Sequence, residues 1–133
     1  MDYILLPKSY RFALRIIKLY SWLHLKREFV LSKQVLRSGT AIGALIREAE
    51  HAQSKADFIS KLSIALKEAN ETEYWLTLLK DSKYLSEKEF ISIHKDCNEL
   101  ISLLVSIIKT TKKNLHEKSK TKLNPPPTPS KGG

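Results

Sequence analysis

The fold is decided by residues 54–79, SKADFISKLSIALKEANETEYWLTLL. The apolar and small side chains of this stretch recur with alternating steps of four and three residues: Phe58, Leu62, Ala65, Ala69, Thr72, Leu76 and Leu79. The same steps return later in the chain: Phe90, Ile93, Cys97, Leu100, Leu104 and Ile107. This spacing is typical of the seam between long helices that pack nearly antiparallel. The sequence therefore predicts an all-α fold.

Short connections between the predicted helices fix their arrangement. We expect a bundle over residues 9–114 that follows an N-terminal extension over residues 1–8. The predicted helices cover residues 10–26, 29–52, 55–82 and 87–114. Because each connection is short, each helix folds back on the one before it, which gives an antiparallel up-down-up-down four-helix bundle.

Capping signals support three of the predicted helix starts. Ser9 is the predicted N-cap of the first helix. Ser86, followed three residues later by Glu89, is a capping box that opens the fourth helix, and Ser54 with Asp57 is a weaker one that opens the third.

Residues 115–133 differ in composition from the predicted helices. They lack an apolar period, are rich in lysine and contain three consecutive prolines at residues 125–127. A segment with so little apolar surface does not order itself, and consecutive prolines favour an extended polyproline conformation. We predict a flexible basic tail.

The second predicted helix carries two signals of close packing. Gly39 and Gly43 lie on one of its faces, where either a neighbouring helix comes close or two glycines are merely tolerated. If the next turn is centred near residue 53, Arg37 lies opposite Glu71, with Glu68 one turn away. We predict an interhelix pair that fixes the register of these two helices. Breaking a truly buried pair of this kind costs about 3–5 kcal/mol.

The net charge of +9 is distributed unevenly along the chain. Residues 1–47 hold nine basic and two acidic side chains, residues 48–108 hold seven and eleven, and residues 109–133 hold seven and one. Two basic ends therefore flank an acidic middle. Such ends attract nucleic acid or another polyanion, although many proteins are basic for no specific reason.

The sequence contains no constellation that would support catalysis. The four histidines stand far apart, at positions 24, 51, 94 and 116, and no HExxH motif, phosphate-binding glycine loop or GxSxG motif is present. The single Cys97 falls on the apolar seam, which suits a buried hydrophobic side chain. We predict a protein that is not an enzyme and has no cofactor and no metal. The longest uncharged stretch is far shorter than a membrane span, and no signal peptide is recognisable, so we expect a cytoplasmic protein with no membrane partner.

The first and fourth predicted helices carry more apolar surface than one bundle requires. On helix four, Leu100 to Ile108 fan over about 200° at about 100° per residue, whereas a helix at the edge of a bundle usually shows a stripe of about 100°. An apolar face left in water promotes aggregation, so we expect another subunit to cover it. The alternative is that residues 3–6 fold over it.

One stripe on the first helix suggests a binding surface: Arg11, Arg15, Lys18, Trp22 and Lys26. Cations bind phosphates without reading sequence, and an exposed tryptophan stacks on an unpaired base. Further lysines in the last part of the chain complete the predicted nucleic-acid-binding set: Lys112, Lys113, Lys118, Lys120 and Lys122. The alternative is a solvated face, with Trp22 packed along its neighbours or in a subunit contact.

Two segments resemble a known family. They are LRSGTAIGALIREAE at residues 36–50 and SKADFISKLSIALKEANETEYWLTLL at residues 54–79. Both are similar to the four-helix bundle proteins encoded in 23S ribosomal-RNA intervening sequences, whose relatives include the accessory variability proteins of diversity-generating retroelements. One departure stands out: residues 45–49 read LIREA where many members read close to NIAEG, which predicts a longer second helix here.

The resemblance implies a four-helix protomer and, in relatives, a positively charged ring of five subunits. It also implies RNA or DNA binding and, in the retroelement branch, partnership with a reverse transcriptase. A ring of five would carry +45, five times the charge of one chain, so weak contacts of single protomers would act together. Two hypotheses remain open: an oligomeric accessory protein that binds nucleic acid without strong sequence preference, or an oligomeric scaffold whose partner is a protein.

Overall fold

The protein folds into four α-helices. The computed structural model describes residues 4–123, with side chains described up to residue 118. The helices are α1 (Leu5–Leu25), α2 (Leu31–Glu50), α3 (Lys55–Asp81) and α4 (Glu87–Leu123), and the described residues form no strand. Each helix packs against the next, and α1 packs against α4 to close the bundle. The predicted four-helix bundle is confirmed.

The core is built from the residues that the heptad-like spacing identified. On α3, six of the seven predicted seam positions are buried: Leu62, Ala65, Ala69, Thr72, Leu76 and Leu79. On α4, Ile107 is half-buried and the other five are buried: Phe90, Ile93, Cys97, Leu100 and Leu104. Thr72 is tolerated there because its hydroxyl lies 2.8 Å from the Ser38 hydroxyl and 2.8 Å from the Glu68 carbonyl oxygen.

The start of α1 differs from the prediction. The helix begins at Leu5 instead of near residue 10, so the second half of the predicted extension over residues 1–8 is helical. Pro7 is accommodated because the amides of the first turn have no partner within the helix. Ser9 is therefore not an N-cap. It is buried inside the helix, and its hydroxyl donates to the carbonyl of Leu6 at 2.9 Å.

The start of α2 depends on a cap that the sequence reading missed. Glu28 is buried, and its carboxylate accepts hydrogen bonds from the amides of Val30, Leu31 and Ser32 at 3.2, 3.0 and 2.6 Å. The negative charge also opposes the positive end of the helix dipole. The predicted range of 29–52 is too long at both ends, and the expected lengthening by the LIREA segment stops at Glu50.

Helices α3 and α4 begin at the predicted caps. The Ser54 hydroxyl accepts from the Asp57 amide at 3.0 Å. Ser86 and Glu89 form a reciprocal capping box with distances of 3.0 and 3.1 Å.

The predicted flexible tail is wrong for residues 115–123, because α4 continues to Leu123. Lysine, leucine and glutamate are good helix formers, and the first helix-terminating proline comes only at residue 125. Residues 124–133, with the three consecutive prolines, lie outside the described part of the chain.

Gly39 is the point of closest approach between α1 and α2. A Cβ atom built there would lie 2.7 Å from Cγ1 and 2.9 Å from Cγ2 of the buried Ile16. At Gly43 the nearest atom, the Ser9 carbonyl oxygen, would be 3.5 Å away, an ordinary contact distance. The predicted close packing is thus confirmed at Gly39, whereas Gly43 leaves room for a methyl group.

The apolar surface is used differently on α1 and α4. On α4, Ile101, Leu103 and Ile107 are half-buried against the core, so the bundle itself absorbs most of the broad apolar fan. Besides Leu25 at its last position (83%), three large apolar side chains of α1 stay exposed: Tyr10 (57%), Leu14 (45%) and Ile17 (46%). We call these three residues the α1 apolar face. Leu5 is fully buried and Leu6 packs on the core, so this part of the predicted N-terminal cover enters the bundle instead.

Candidate nucleic-acid interface

The predicted basic stripe lies along the side of α1 that borders α4. Arg11, Lys18 and Lys26 are exposed, and Arg15 and Trp22 are half-buried. Because α1 is a continuous helix, steps of three and four keep these side chains on one face. The structure therefore brings the five stripe residues together.

Arg15 holds α1 against α4. Its Nη1 donates to Asp96 Oδ2 at 2.8 Å and to the Ser92 carbonyl oxygen at 3.2 Å, and its Nη2 donates to Ser92 Oγ at 3.0 Å. Farther along the same seam, Lys8 Nζ lies 3.0 Å from Glu99 Oε2. The guanidinium of Arg15 is thus committed within the protomer, and the sequence reading missed this structural role.

A groove opens between α1 and the beginning of α4, and Arg15 and its partner Ser92 form part of its lining. Its volume is about 620 Å³. The buried side chains of Leu19, Leu85 and Ile93 contribute apolar surface to its lining, and Trp22 adds its indole ring. We call this feature the α1–α4 groove. A polar rim with an apolar floor is the usual character of a small-molecule or nucleotide site.

Lysines border the α1–α4 groove from both helices. Lys18 belongs to α1, and Lys88, which the sequence reading missed, belongs to α4. Lys26 Nζ lies 5.3 Å from the centroid of the Trp22 ring, a cation–π distance. Within residues 4–118 no ion pair joins Lys18, Lys26 or Lys88 to a carboxylate closer than 4.0 Å. Three cations are therefore available to a bound anion.

One carboxylate also lines the α1–α4 groove. Hydrogen bonds with Ser86 lower the pKa of Glu89, and the nearby charge of Lys26 lowers it further. Its Oε1 already accepts from the Ser86 amide as part of the capping box. Glu89 is thus a fixed negative charge in the lining of the groove, next to Lys88 in the first turn of α4.

The predicted lysines of the last part of the chain form a separate basic cluster. Lys112, Lys113 and Lys118 are exposed, and Lys120 and Lys122 follow on the last turns of α4. The segment from Lys88 to Lys112 spans 24 residues, or about 36 Å at 1.5 Å per residue. The structure therefore places these lysines at the opposite end of the bundle from the groove.

Arg37 lies against both glutamates that the sequence reading paired with it. Its Nη1 is 3.3 Å from Glu68 Oε1, and its Nη2 donates to Glu71 Oε2. The same Glu71 oxygen accepts from the Trp75 indole N–H at 3.0 Å. The Arg37 side chain is 52% exposed, whereas the side chains of Glu68 and Glu71 are 16% and 30% exposed, so the pair is partly exposed and not the truly buried one that the sequence allowed.

Cys97 and His94 of α4 each contact a polar atom of α3. Burial raises the pKa of the Cys97 thiol to about 12, and its Sγ lies 3.4 Å from the Ala69 carbonyl oxygen. His94 Nε2 lies 2.9 Å from Glu73 Oε2, its Nδ1 lies 3.3 Å from Asn98 Nδ2, and its ring stacks on Phe90. Among residues 4–118 no three His, Cys, Asp or Glu side chains gather as metal ligands. Over the same stretch, none of the helices combines the length and the apolarity that crossing a bilayer requires.

Comparison with known proteins identifies the family. The family model of the 23S rRNA-intervening sequence protein matches residues 1–106. A solved structure from Bacteroides thetaiotaomicron, a protein with unknown function from the S23 ribosomal protein family, is 59% identical with a TM-score of 0.78. The match covers 79% of this chain and 98% of that one. No curated protein matches. The resemblance carried by residues 36–50 and 54–79 is confirmed: the chain belongs to the family of 23S rRNA-intervening sequence proteins.

Proposed function

We propose that this protein is a non-enzymatic, basic, oligomeric four-helix bundle that binds RNA or DNA without strong sequence preference. In this proposal it acts in the cytoplasm as an accessory factor of a ribosomal-RNA intervening sequence. The observation that carries the proposal is the group of uncommitted cations around the α1–α4 groove: Lys18, Lys26 and Lys88. Contacts from lysine to phosphate supply affinity and carry no sequence information, which accounts for the expected lack of base preference.

The test is the salt dependence of binding to a fluorescently labelled RNA hairpin, followed by anisotropy. If each protomer neutralises three phosphates, the logarithm of the affinity falls with the logarithm of the salt concentration with a slope of about −2.7. An anisotropy signal that does not change between low and moderate salt would refute electrostatic binding.

Two variants of equal net charge distinguish the contribution of the groove lysines to binding from the contribution of the total charge. We expect the triple variant Lys18→Glu, Lys26→Glu and Lys88→Glu to abolish hairpin binding in 0.1 M salt. The control reverses three exposed lysines elsewhere on the bundle: Lys33, Lys55 and Lys67. Both variants have a formal net charge of +3, because each reverses three charges of the +9 chain. Equal losses in the two variants would mean that binding depends on total charge and not on the groove.

We propose further that the α1 apolar face mediates self-association, and that the assembly is the ring of five implied by the family resemblance. Tyr10, Leu14 and Ile17 follow one another on a single side of α1 and are exposed in the protomer. Burial of such a face removes apolar surface from water at about 25 cal/mol per Å². Sedimentation equilibrium should give five times the mass of one chain, and Leu14→Asp with Ile17→Asp should give a monomer. A monomeric wild-type protein at high concentration would refute the proposal.

The connection between α1 and α2 favours a second candidate, a scaffold whose partner is a protein. Leu25 is 83% exposed, Val30 is 71% exposed and Phe29 is half-exposed at the same end of the bundle as the groove. A reverse transcriptase is one candidate partner. Pull-down of such a partner that survives nuclease treatment and is lost in Leu25→Asp, without any gel shift by nucleic acid, would favour this candidate.

A further inference from the structure

We propose that the α1–α4 groove binds an unpaired nucleobase together with its phosphate, so that the preferred ligand is a single-stranded stretch of nucleic acid. This inference rests on the proposed nucleic-acid binding and specifies the structural class of its ligand. The observation that leads to it is the combination of a flat aromatic side chain, an apolar floor and unpaired cations in one concave space.

The size and lining of the groove suit a nucleotide better than a duplex. Its volume of about 620 Å³ lies within the range of about 300–1,000 Å³ found for small-ligand sites. Leu19, Leu85 and Ile93 are almost fully buried at its floor, so a ring that enters meets apolar carbon. In a duplex the bases are already stacked and paired, and only phosphates can approach such a groove.

Trp22 supplies the stacking surface. Its ring is half-buried, which limits its motion, and it still lines the groove. Lys26 Nζ lies over one face of this ring, 5.3 Å from its centroid, so the base stacks on the other face or displaces the ammonium group. Base–aromatic stacking contributes about 1–3 kcal/mol per base and tolerates every base, in keeping with binding that does not read sequence.

Lys18 and Lys88 supply the phosphate contacts from opposite walls. Arg15 is held by Asp96 and Ser92 and does not need to move. Glu89 keeps a fixed negative charge at the capped end of α4. These charges confine a phosphate to the space between Lys18 and Lys88 while the attached base reaches Trp22.

An acidic peptide is the competing ligand for a groove of this charge. It would satisfy the lysines but would leave the Trp22 ring without an aromatic partner. The proposal therefore predicts that removal of the aromatic ring weakens binding of single strands and not the binding of acidic side chains.

The experiment compares a labelled twelve-nucleotide RNA of mixed sequence with the corresponding duplex at the same salt concentration. Trp22→Leu keeps an apolar side chain and removes the ring, and Trp75→Phe is the matched control on α3. We expect Trp22→Leu to weaken single-strand binding about tenfold and to change duplex binding less than twofold. Trp75→Phe should change neither. In the Trp75→Phe background, where Trp22 is the remaining tryptophan, the single strand should quench its emission and the duplex should not.

A second variant covers the case in which Trp22→Leu disturbs the bundle. Lys88→Gln removes one exposed charge and should weaken single-strand binding about threefold, whereas Lys95→Gln on the outer side of α4 should not. If Trp22→Leu and Lys88→Gln weaken binding of the single strand and of the duplex equally, or weaken neither, the inference is overturned while the proposed nucleic-acid binding stands. The inference is also overturned if a polyglutamate peptide competes with the single strand for the protein and Trp22→Leu weakens binding of the peptide as much as binding of the single strand. Absence of any salt-dependent binding by the wild type overturns the proposed function and this inference with it.

Discussion

Replacing Gly39 by alanine tests the closest helix contact of the bundle. An added methyl group would lie 2.7 and 2.9 Å from the two γ carbons of Ile16, distances that packed side chains do not adopt. Those carbons sit next to the branch point of a β-branched side chain, which has little rotamer freedom in a helix. Ile16 is fully buried, so it cannot swing into solvent to make room.

The expected change in the free energy of unfolding is the balance of two opposing effects. Alanine in place of glycine inside a helix gains about 1 kcal/mol of helix stability. Overpacking a well-packed core costs about 1–3 kcal/mol. For Gly39→Ala the second effect is the larger, and we expect a net loss of about 1 kcal/mol. For Gly43→Ala, where the new atom would have 3.5 Å to its nearest neighbour, we expect the gain of about 1 kcal/mol without the penalty.

The assay is urea unfolding followed by circular dichroism at one fixed protein concentration, because self-association would make stability depend on concentration. The two variants should differ by about 2 kcal/mol in the free energy of unfolding, with opposite signs relative to wild type. In an Ile16→Ala background the Gly39→Ala penalty should disappear. Equal stabilisation by Gly39→Ala and Gly43→Ala would refute the argument that Gly39 is required by the approach of α1.

Two further predictions concern Arg37 and Cys97. Arg37→Ala should lower the free energy of unfolding by about 1 kcal/mol in the same assay, since the ion pair of Arg37 with Glu68 and Glu71 is partly exposed and such pairs are weak. A loss above 3 kcal/mol would show that the pair behaves as a buried one. Because burial raises the pKa of Cys97 from 9.0 to about 12, the unfolded thiol ionises first as pH rises. Its contribution to stability should therefore be complete below pH 9 and fall by about 1.4 kcal/mol per pH unit between about pH 9 and 12. The measurement compares the free energy of unfolding against pH for wild type and Cys97→Ala, and only the wild type should lose stability above pH 9. The same pH dependence in both proteins would contradict the burial of the thiol.

The helices and the core could be predicted because they depend on local periodicity. The steps of four and three on α3 and α4 identified buried positions, and Ser86 with Glu89 identified a cap that the structure contains. The expected turn centred near residue 53 placed Arg37 opposite Glu71 and near Glu68, where the structure has it. It could not give the exposure of the pair, because exposure depends on where the surrounding side chains lie.

The errors have physical causes that sequence patterns do not record. Ser9 resembled a cap, but the first turn of a helix tolerates Pro7 and so α1 begins earlier. Glu28 caps α2 from a position outside the usual capping residues. Residues 115–123 lack a core-facing stripe, yet their residue types favour helix, so α4 extends beyond the bundle.

The sequence predicted a basic stripe on α1 but no groove. Three of the five stripe residues line the groove, namely Arg15, Lys18 and Trp22, whereas its α4 side depends on which residue of a distant helix lies opposite. The register set by Arg15 with Asp96 brings Lys88 to the groove, more than 60 positions along the chain from Lys18. No local pattern connects two residues so far apart.

The arrangement of faces on α1 decides whether self-association and nucleic-acid binding are compatible. At about 100° per residue, the α1 apolar face lies about 110° around the helix from the basic stripe, and the buried face lies about 100° from the stripe on the other side. A subunit that covers Tyr10, Leu14 and Ile17 would border Lys18, which lies one turn from Leu14 and about 40° around the helix, and would leave Trp22, about 80° from Leu14, accessible. Each added subunit would then contribute an open groove, and an RNA long enough to reach two grooves would be held at the effective concentration set by their spacing. A protomer with a weak individual site can in this way belong to an assembly with strong binding, and this requires only that the apolar face and the groove remain on different sides of one helix.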